Sequence, residues 1–128
     1  MIKLARGLLY FFSAFFVVYG ATALFRPDII AGALYLSPVT IAGTSEIRGL
    51  YGGGFAAFGV VLFNGLRNKS IGPGLLMSMA IIMGGVVIGR IVSLAIDHET
   101  AFTLPALIAE VVVAWACWMG SKNSAKSA

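Results

Sequence analysis

Four long apolar runs dominate this chain of 128 residues. With the polar residues that open or close them, they cover residues 7–25, 46–66, 74–97 and 103–119. An α-helix rises 1.5 Å per residue, so about 20 apolar residues cross the ~30 Å hydrocarbon core of a bilayer. The runs are apolar on all sides, whereas a soluble bundle helix keeps one polar face. They predict an all-α fold, a four-helix transmembrane bundle that forms a single domain over residues 1–128.

Composition supports the same fold class. Charged residues make up 11% of the chain and the mean hydropathy is +0.96, whereas about 25% of the residues in a soluble domain are charged. The net charge of +4 does not indicate nucleic-acid binding, because the cations stand at the ends of the apolar runs and form no basic stripe. The predicted partner is the lipid bilayer.

The first run permits two interpretations. Lys3 and Arg6 precede it, and Pro27 ends it by removing a backbone donor. A basic start and the small residues 21–23 also resemble a secretory signal peptide with its cleavage site. A retained helix is favoured, because the apolar part of a signal peptide usually spans only about 7–15 residues.

The connection before the second helix is weakly apolar. Pro38 interrupts residues 29–43, which predicts a loop with a short helix at the membrane surface. Thr44 and Ser45 offer oxygens that accept hydrogen bonds at a helix N-terminus, and Glu46 would lie in the first turn. The second helix is therefore expected to begin near Glu46.

Basic residues set the expected orientation. Cytoplasmic loops carry an excess of Lys and Arg. With four crossings, one side of the membrane holds most of the cations, namely Lys3, Arg6, Arg67, Lys69, Lys122 and Lys126. Arg26 lies in an opposite loop. Both termini are therefore expected in the cytoplasm.

Small residues recur at helical spacing in two of the runs. Gly49 and Gly53 are four residues apart in the second helix, and Gly85 and Gly89 are four apart in the third. Such pairs let membrane helices approach closely. They predict either contacts within the chain's own bundle or a face for self-association. A second stripe lies beside the first and consists of Gly52, Ala56 and Gly59.

Charged residues within the runs form the candidate site. A charge inside a membrane helix costs about 2.5–3.5 kcal/mol on insertion scales, so it usually has a partner or a function. Arg90 precedes Asp97 by seven residues and Glu110 follows Thr103 by seven, so both lie about 10 Å from neighbouring helix ends. An ion pair between Arg90 and Glu110 is therefore expected. The predicted polar cluster in the outer half of the bundle comprises Arg48, Arg90, Glu110, Glu46, Tyr51, Ser93 and Asp97.

This cluster has two interpretations. It is either an internal salt bridge that fixes helix register or a pocket that binds an anionic or amphipathic ligand. No catalytic residues are predicted, because no set of nucleophile, base and orienting group is apparent. Cys117 and His98 are the only residues of their types, so neither a metal site nor a cofactor is expected.

Two stretches resemble a known family. The sequence EIRGLYGG at residues 46–53 opens the second helix, GRIVS at 89–93 lies late in the third, and Glu110 follows in the fourth. Together they resemble an uncharacterised DUF4345-like family of small bacterial four-helix membrane proteins, and more loosely DoxX-type proteins. The resemblance implies a four-helix fold in a bacterial inner membrane and no particular activity.

Two functions follow as hypotheses. The first is a small multi-pass membrane protein that binds a small or amphipathic ligand at the Arg/Glu cluster. The second is an accessory or assembly subunit, a homo-oligomer or part of a larger membrane complex, that packs through its glycine-rich helix faces. Enzyme activity ranks below both.

Overall fold

The computed structural model describes residues 1–36, 40–97 and 100–126, without the side chains of Ile2, Ser93, Asp97 and residues 123–126. All regular secondary structure in these ranges is helical, which confirms the predicted all-α class. The helices are α1 (Ile2–Phe25), α2 (Pro27–Ala33), α3 (Ile41–Glu46), a π-helical segment (Ile47–Gly54), α4 (Phe55–Arg67), α5 (Gly72–Asp97) and α6 (Thr103–Lys126).

Four helical stretches are long and apolar enough to cross a membrane. They are called the spanning stretches here, for their length and composition alone, and comprise Lys3–Phe25, Ile41–Arg67, Gly72–Ile96 and Thr103–Lys122. The second of them joins α3, the π-helical segment and α4 without a break, because the backbone at Glu46 and at Phe55 is right-handed helical. These stretches support a membrane protein.

Helix boundaries extend beyond the apolar runs. Helix α1 begins at Ile2 rather than near Gly7, and α6 continues to Lys126, because Lys and Arg are good helix formers that need not be apolar. Helix α3 begins at Ile41 rather than near Glu46. The side chain of Thr40 accepts a hydrogen bond from the Gly43 amide at 3.0 Å and caps this helix, in place of Thr44 or Ser45.

The chain divides into two compact units. Residues Phe11–Val61 form the central unit, and residues Met1–Tyr10 with Leu62–Ala128 form the terminal unit. The single domain over residues 1–128 stays a prediction.

Close backbone contact holds the central unit together. A Cβ atom added at Gly20 would lie 2.6 Å from the Gly52 carbonyl oxygen and 2.9 Å from the Ala56 Cα atom. One added at Gly59 would lie 2.6 Å from the Ser13 carbonyl oxygen, and the Ser13 hydroxyl donates a hydrogen bond to the Gly59 carbonyl at 2.8 Å. Helix α1 therefore packs against the second spanning stretch at positions where only glycine fits.

Helix α2 packs its apolar side inside the central unit. Ile30 and Ala31 are buried with Ala23 and Ile47, and Tyr19, Leu34 and Tyr51 pack around them. Tyr35 lies two residues beyond the end of this helix, and its φ of 57° is uncommon for a residue other than glycine. The Leu36 amide donates to the Ala31 carbonyl and the Tyr35 amide to the Gly32 carbonyl, the hydrogen bonds of a Schellman motif. Pro38, in the connection that follows, lies outside the described residues.

An exposed ion pair marks the start of α2. The Arg26 guanidinium donates two hydrogen bonds to the Asp28 carboxylate, at 3.2 and 3.0 Å. These hydrogen bonds hold the pKa of Asp28 below its usual range and raise that of Arg26. Since the pair lies in the connection between two spanning stretches, solvent screens it, and it contributes little to stability.

The terminal unit is built around α5 and α6. Its buried apolar side chains include Leu76, Met79 and Met83 on α5, with Val113 and Cys117 on α6. The backbone of Gly72 at the start of α5 lies against the backbone of Gly65 in α4. The helices of this unit therefore pack through apolar side chains, and no charged side chain is buried in the part of the unit that the structure describes.

Candidate functional site

An ion pair joins the two long helices of the terminal unit. The Arg90 Nε atom donates to both oxygens of the Glu110 carboxylate, at 3.2 and 3.3 Å, and Nη2 donates to Oε1 at 3.2 Å. Two guanidinium nitrogens on a single carboxylate make a bidentate contact, which adds directionality to the charge attraction. The structure thus brings together the pair that the sequence predicted.

An aromatic ring completes this site. The guanidinium carbon of Arg90 lies 5.3 Å from the centroid of the Phe102 ring, within the range of a cation–π interaction. Phe102 belongs to the connection between α5 and α6, and sequence reasoning missed it. One signal for Phe102 was present in the sequence, namely its position. It is an aromatic residue immediately before Thr103, where the helix that carries Glu110 begins.

The site lies inside the spanning stretches, yet it is partly open. Arg90 and Glu110 each stand about 10 Å from the adjoining helix end. The Arg90 side chain is 31% exposed and that of Glu110 is 18% exposed. A charge at this depth is costly without a partner, and Glu110 supplies that partner.

Three other predicted members of the cluster, Glu46, Arg48 and Tyr51, belong to the central unit. The Arg48 Nε atom donates a hydrogen bond to the Leu24 carbonyl at 3.1 Å. Leu24 lies in the last turn of α1, where carbonyls lack helical partners, so Arg48 caps that helix. Glu46 is exposed at the end of α3.

Tyr51 has an aromatic contact of its own in the central unit. Its ring stacks on Phe55, with centroids 5.9 Å apart and planes at 16°. The ring of Tyr19 lies 5.1 Å from Phe55 on a tilted plane. Arg48 and Tyr51 both stand on the π-helical segment, a type of helix that is rare and often found at functional sites.

Two further members cannot be placed. Ser93 and Asp97 belong to α5 by their backbones, while their side chains lie outside the described residues. His98 and Glu99 lie outside the described residues as well. The participation of Ser93 and Asp97 in the cluster stays a prediction.

The glycines named as packing residues face open space. A Cβ atom added at Gly49, Gly85 or Gly89 would have no described atom within 4 Å, and one at Gly53 would meet only the Arg48 carbonyl oxygen, at 3.9 Å. Within the chain, close contacts occur at other glycines, among them Gly20, Gly52 and Gly59. A packing role for the four named glycines stays a prediction.

Metal ligands do not cluster in the part of the chain that the structure describes. Among its His, Cys, Asp and Glu residues, no group of three or more is arranged to hold a metal ion. Cys117 is a buried free thiol in the core of the terminal unit. The candidate site thus presents two charged groups, the Arg90 guanidinium and the Glu110 carboxylate, which can bind a group of opposite charge.

The chain matches a known protein family. The sequence profile of a family described as Domain of unknown function (DUF4345) matches residues 4–120. No curated protein and no solved structure matches the chain. The looser likeness to DoxX-type proteins and the bacterial source stay predictions.

Proposed function

We propose that this chain, which belongs to the DUF4345 family of domains of unknown function, is a multi-pass membrane protein that binds an anionic, amphipathic ligand at Arg90. The observation that carries the proposal is the partly exposed Arg90–Glu110 pair within two spanning stretches. In this arrangement Arg90 binds the anionic group, and the apolar part of the ligand lies along α5.

The chemistry of the pair favours an exchange of partners. A ligand carboxylate or phosphate offers Arg90 the same acceptor geometry that Glu110 now supplies. Because the Arg90 charge is satisfied both before and after binding, the exchange avoids leaving an unpaired cation in the membrane. Phe102 holds the guanidinium from one side, which keeps Arg90 in place while its carboxylate partner changes.

Topology and location belong to the same proposal. Four crossings place Lys3, Arg67, Lys69 and Lys122 on one side of the membrane, and the excess of cations assigns that side to the cytoplasm. Both termini are then cytoplasmic, in a bacterial inner membrane.

Ligand binding should depend on the Arg90 charge. Oleate is a suitable probe, because it combines one carboxylate with an apolar chain, and native mass spectrometry in mild detergent counts the bound molecules. Arg90→Gln is expected to lower oleate affinity about tenfold or more, since a charge-assisted hydrogen bond contributes about 1.5–3 kcal/mol.

Arg26→Gln serves as the matched control, because it also removes an ion-paired arginine, from an exposed pair outside the spanning stretches. It should leave oleate affinity unchanged. Equal oleate binding by the wild type and Arg90→Gln would reject the proposed ligand site.

A second candidate function rests on the exposed face of α5. Only 12% of its most apolar window is buried, against 22–28% for the other three spanning stretches. Gly84, Gly85 and Gly89 have no described atom within 4 Å of an added Cβ atom. This face would accept a transmembrane helix of another subunit, as in a homo-oligomer or a larger membrane complex.

A bulky residue on this face distinguishes the second candidate. Gly85→Leu has room within the chain and should leave thermal stability intact, but it should dissociate any complex that packs on α5. Gly74→Leu is the matched control, because Gly74 is an equally open glycine nearer the start of the same helix. The measurement is the size of the complex that contains this protein after gentle solubilisation of the membrane. A complex of unchanged size in Gly85→Leu would exclude a subunit packed on α5.

A further inference from the structure

Exposed cations gather at one end of the terminal unit. The N-terminal turns of α1, the connection between α4 and α5, and the C-terminal part of α6 carry them. These three segments belong together because Gly120 of α6 contacts both neighbours: a Cβ atom there would lie 3.0 Å from Leu9 of α1 and 3.0 Å from Leu76 of α5. The set, called here the basic end, consists of Lys3, Arg6, Arg67, Lys69 and Lys122, all exposed.

No side-chain carboxylate lies near the basic end in the part of the terminal unit that the structure describes. The five acidic residues of the whole sequence are Asp28, Glu46, Asp97, Glu99 and Glu110. Asp97 closes α5 at the end opposite Gly72, about 37 Å away, and Glu110 precedes Lys122 by twelve residues, or about 18 Å along α6. The charge of the basic end is therefore not neutralised by the terminal unit's own acids.

Aromatic rings fix two of these cations. The Lys122 Nζ atom lies 4.0 Å from the centroid of the Trp118 ring, and the Arg67 guanidinium carbon lies 5.3 Å from that of Phe63. The Phe63 ring in turn packs edge-on against Tyr10 at 6.4 Å. Trp and Tyr concentrate where a helix leaves the hydrocarbon core, so these contacts hold both charges at the level of the lipid headgroups.

The turn between α4 and α5 is also well fixed. The Asn68 side-chain oxygen accepts hydrogen bonds from the amides of Ser70 and Ile71, at 3.0 and 3.1 Å. This turn carries Arg67 and Lys69. Less conformational entropy is then lost when the two cations bind a headgroup.

We infer that the basic end binds the phosphate headgroups of anionic phospholipids in the leaflet that it faces. Clusters of four to eight Lys and Arg residues beside spanning helices recognise such headgroups, and each cation near the surface adds to the attraction. The ligand here is the phosphodiester of a membrane lipid, held by Arg67, Lys69 and Lys122 while its acyl chains remain in the bilayer. The inference is independent of the proposed Arg90 site, which lies elsewhere in the terminal unit.

Fluorescence quenching by brominated lipids tests this inference. The two tryptophans are Trp115 and Trp118, so Trp115→Phe leaves the partly exposed Trp118 as a single reporter at the basic end. This protein is placed in phosphatidylcholine vesicles that contain a minor fraction of either brominated phosphatidylglycerol or brominated phosphatidylcholine. From the quenching of Trp118 we expect the local fraction of brominated phosphatidylglycerol to be about threefold or more above its fraction in the bilayer. This enrichment should weaken at high salt.

Two variants in this background decide the outcome. Arg67→Gln/Lys69→Gln leaves the contact between Lys122 and Trp118 intact and should reduce the enrichment at least by half. Arg26→Gln removes a cation outside the basic end and should preserve it. Equal quenching by the two brominated lipids would overturn the inference, as would an enrichment that survives Arg67→Gln/Lys69→Gln. If Arg67→Gln/Lys69→Gln fails to fold, two other double variants replace it. Arg67→Lys/Lys69→Arg keeps both charges and must retain the enrichment. Lys3→Gln/Arg6→Gln removes two other cations of the basic end and must lower it.

Discussion

Gly20→Ala is expected to destabilise the protein by about 3 kcal/mol, at the upper end of the cost of overpacking. The new methyl carbon would lie 2.6 Å from the Gly52 carbonyl oxygen and closer still to the Ala56 amide nitrogen. Both atoms belong to the backbone of a continuous helix, so neither moves away as a flexible side chain would. Helix α1 must therefore separate from its neighbour in the central unit.

Gly84→Ala provides the control for this substitution. Gly84 also lies inside a spanning helix, but an added Cβ atom there meets no described atom within 4 Å. Alanine exceeds glycine in helix propensity by about 1 kcal/mol, so Gly84→Ala should be neutral or slightly stabilising. Thermal unfolding in mild detergent measures both variants. Equal melting temperatures for the two would contradict the close contact at Gly20.

Breaking the Arg90–Glu110 pair should have the second large effect. Glu110→Ala removes the carboxylate and leaves the Arg90 cation within a spanning stretch, which we expect to cost about 2–3 kcal/mol. The loss falls below the 3–5 kcal/mol typical of a fully buried pair, because Arg90 is 31% exposed and keeps its contact with Phe102.

The double variant Arg90→Gln/Glu110→Gln tests whether the loss comes from the unpaired charge. In this variant two neutral glutamine side chains replace the two charged side chains. Most of the stability lost in Glu110→Ala should therefore return. Unfolding free energies of the two single glutamine variants, the double variant and the wild type complete a double-mutant cycle. A coupling energy near zero would show that the two side chains do not interact in the membrane.

Helix positions and the ion pair follow from the sequence for physical reasons. Long apolar runs specify spanning helices because lipid leaves backbone polar groups no other partner. Arg90 and Glu110 could be paired from the sequence because they lie at similar distances from the segment that connects their helices. In two consecutive antiparallel helices, such residues lie side by side. Phe102 could not be assigned in the same way, since the conformation of a connecting segment does not follow from periodicity.

The packing glycines show where sequence reasoning reaches its limit. The stripe with Gly49 and Gly53 and the stripe with Gly52 and Gly59 have equally small residues. A helix that is apolar on all sides has no polar face to indicate its rotation. Only the tertiary structure distinguishes the stripes: it places Gly52 and Gly59 against α1 and leaves Gly49 open. The π-helical turn at residues 47–54 adds to the difficulty, because its wider spacing departs from the period assumed for an α-helix.

Arg48 illustrates the same limit for a charged residue. Its place near a helix start predicts a member of the polar cluster, and this membership stays a prediction. The structure shows a contact that the sequence did not indicate, because the Arg48 Nε atom donates a hydrogen bond to the Leu24 carbonyl in the last turn of α1. That carbonyl becomes available only because α1 ends beside the π-helical segment in the folded central unit. A capping contact between residues 24 positions apart leaves no trace in local sequence.

The affinity of Glu110→Gln for oleate tests the proposed ligand site most directly. If the ligand replaces Glu110 as the partner of Arg90, removing the carboxylate charge eliminates the competitor and leaves the cation unpaired. Native mass spectrometry should then show tighter oleate binding by Glu110→Gln than by the wild type, while Arg90→Gln binds less. Unchanged or weaker binding by Glu110→Gln would contradict partner exchange at this site and leave the pair with a role in stability alone.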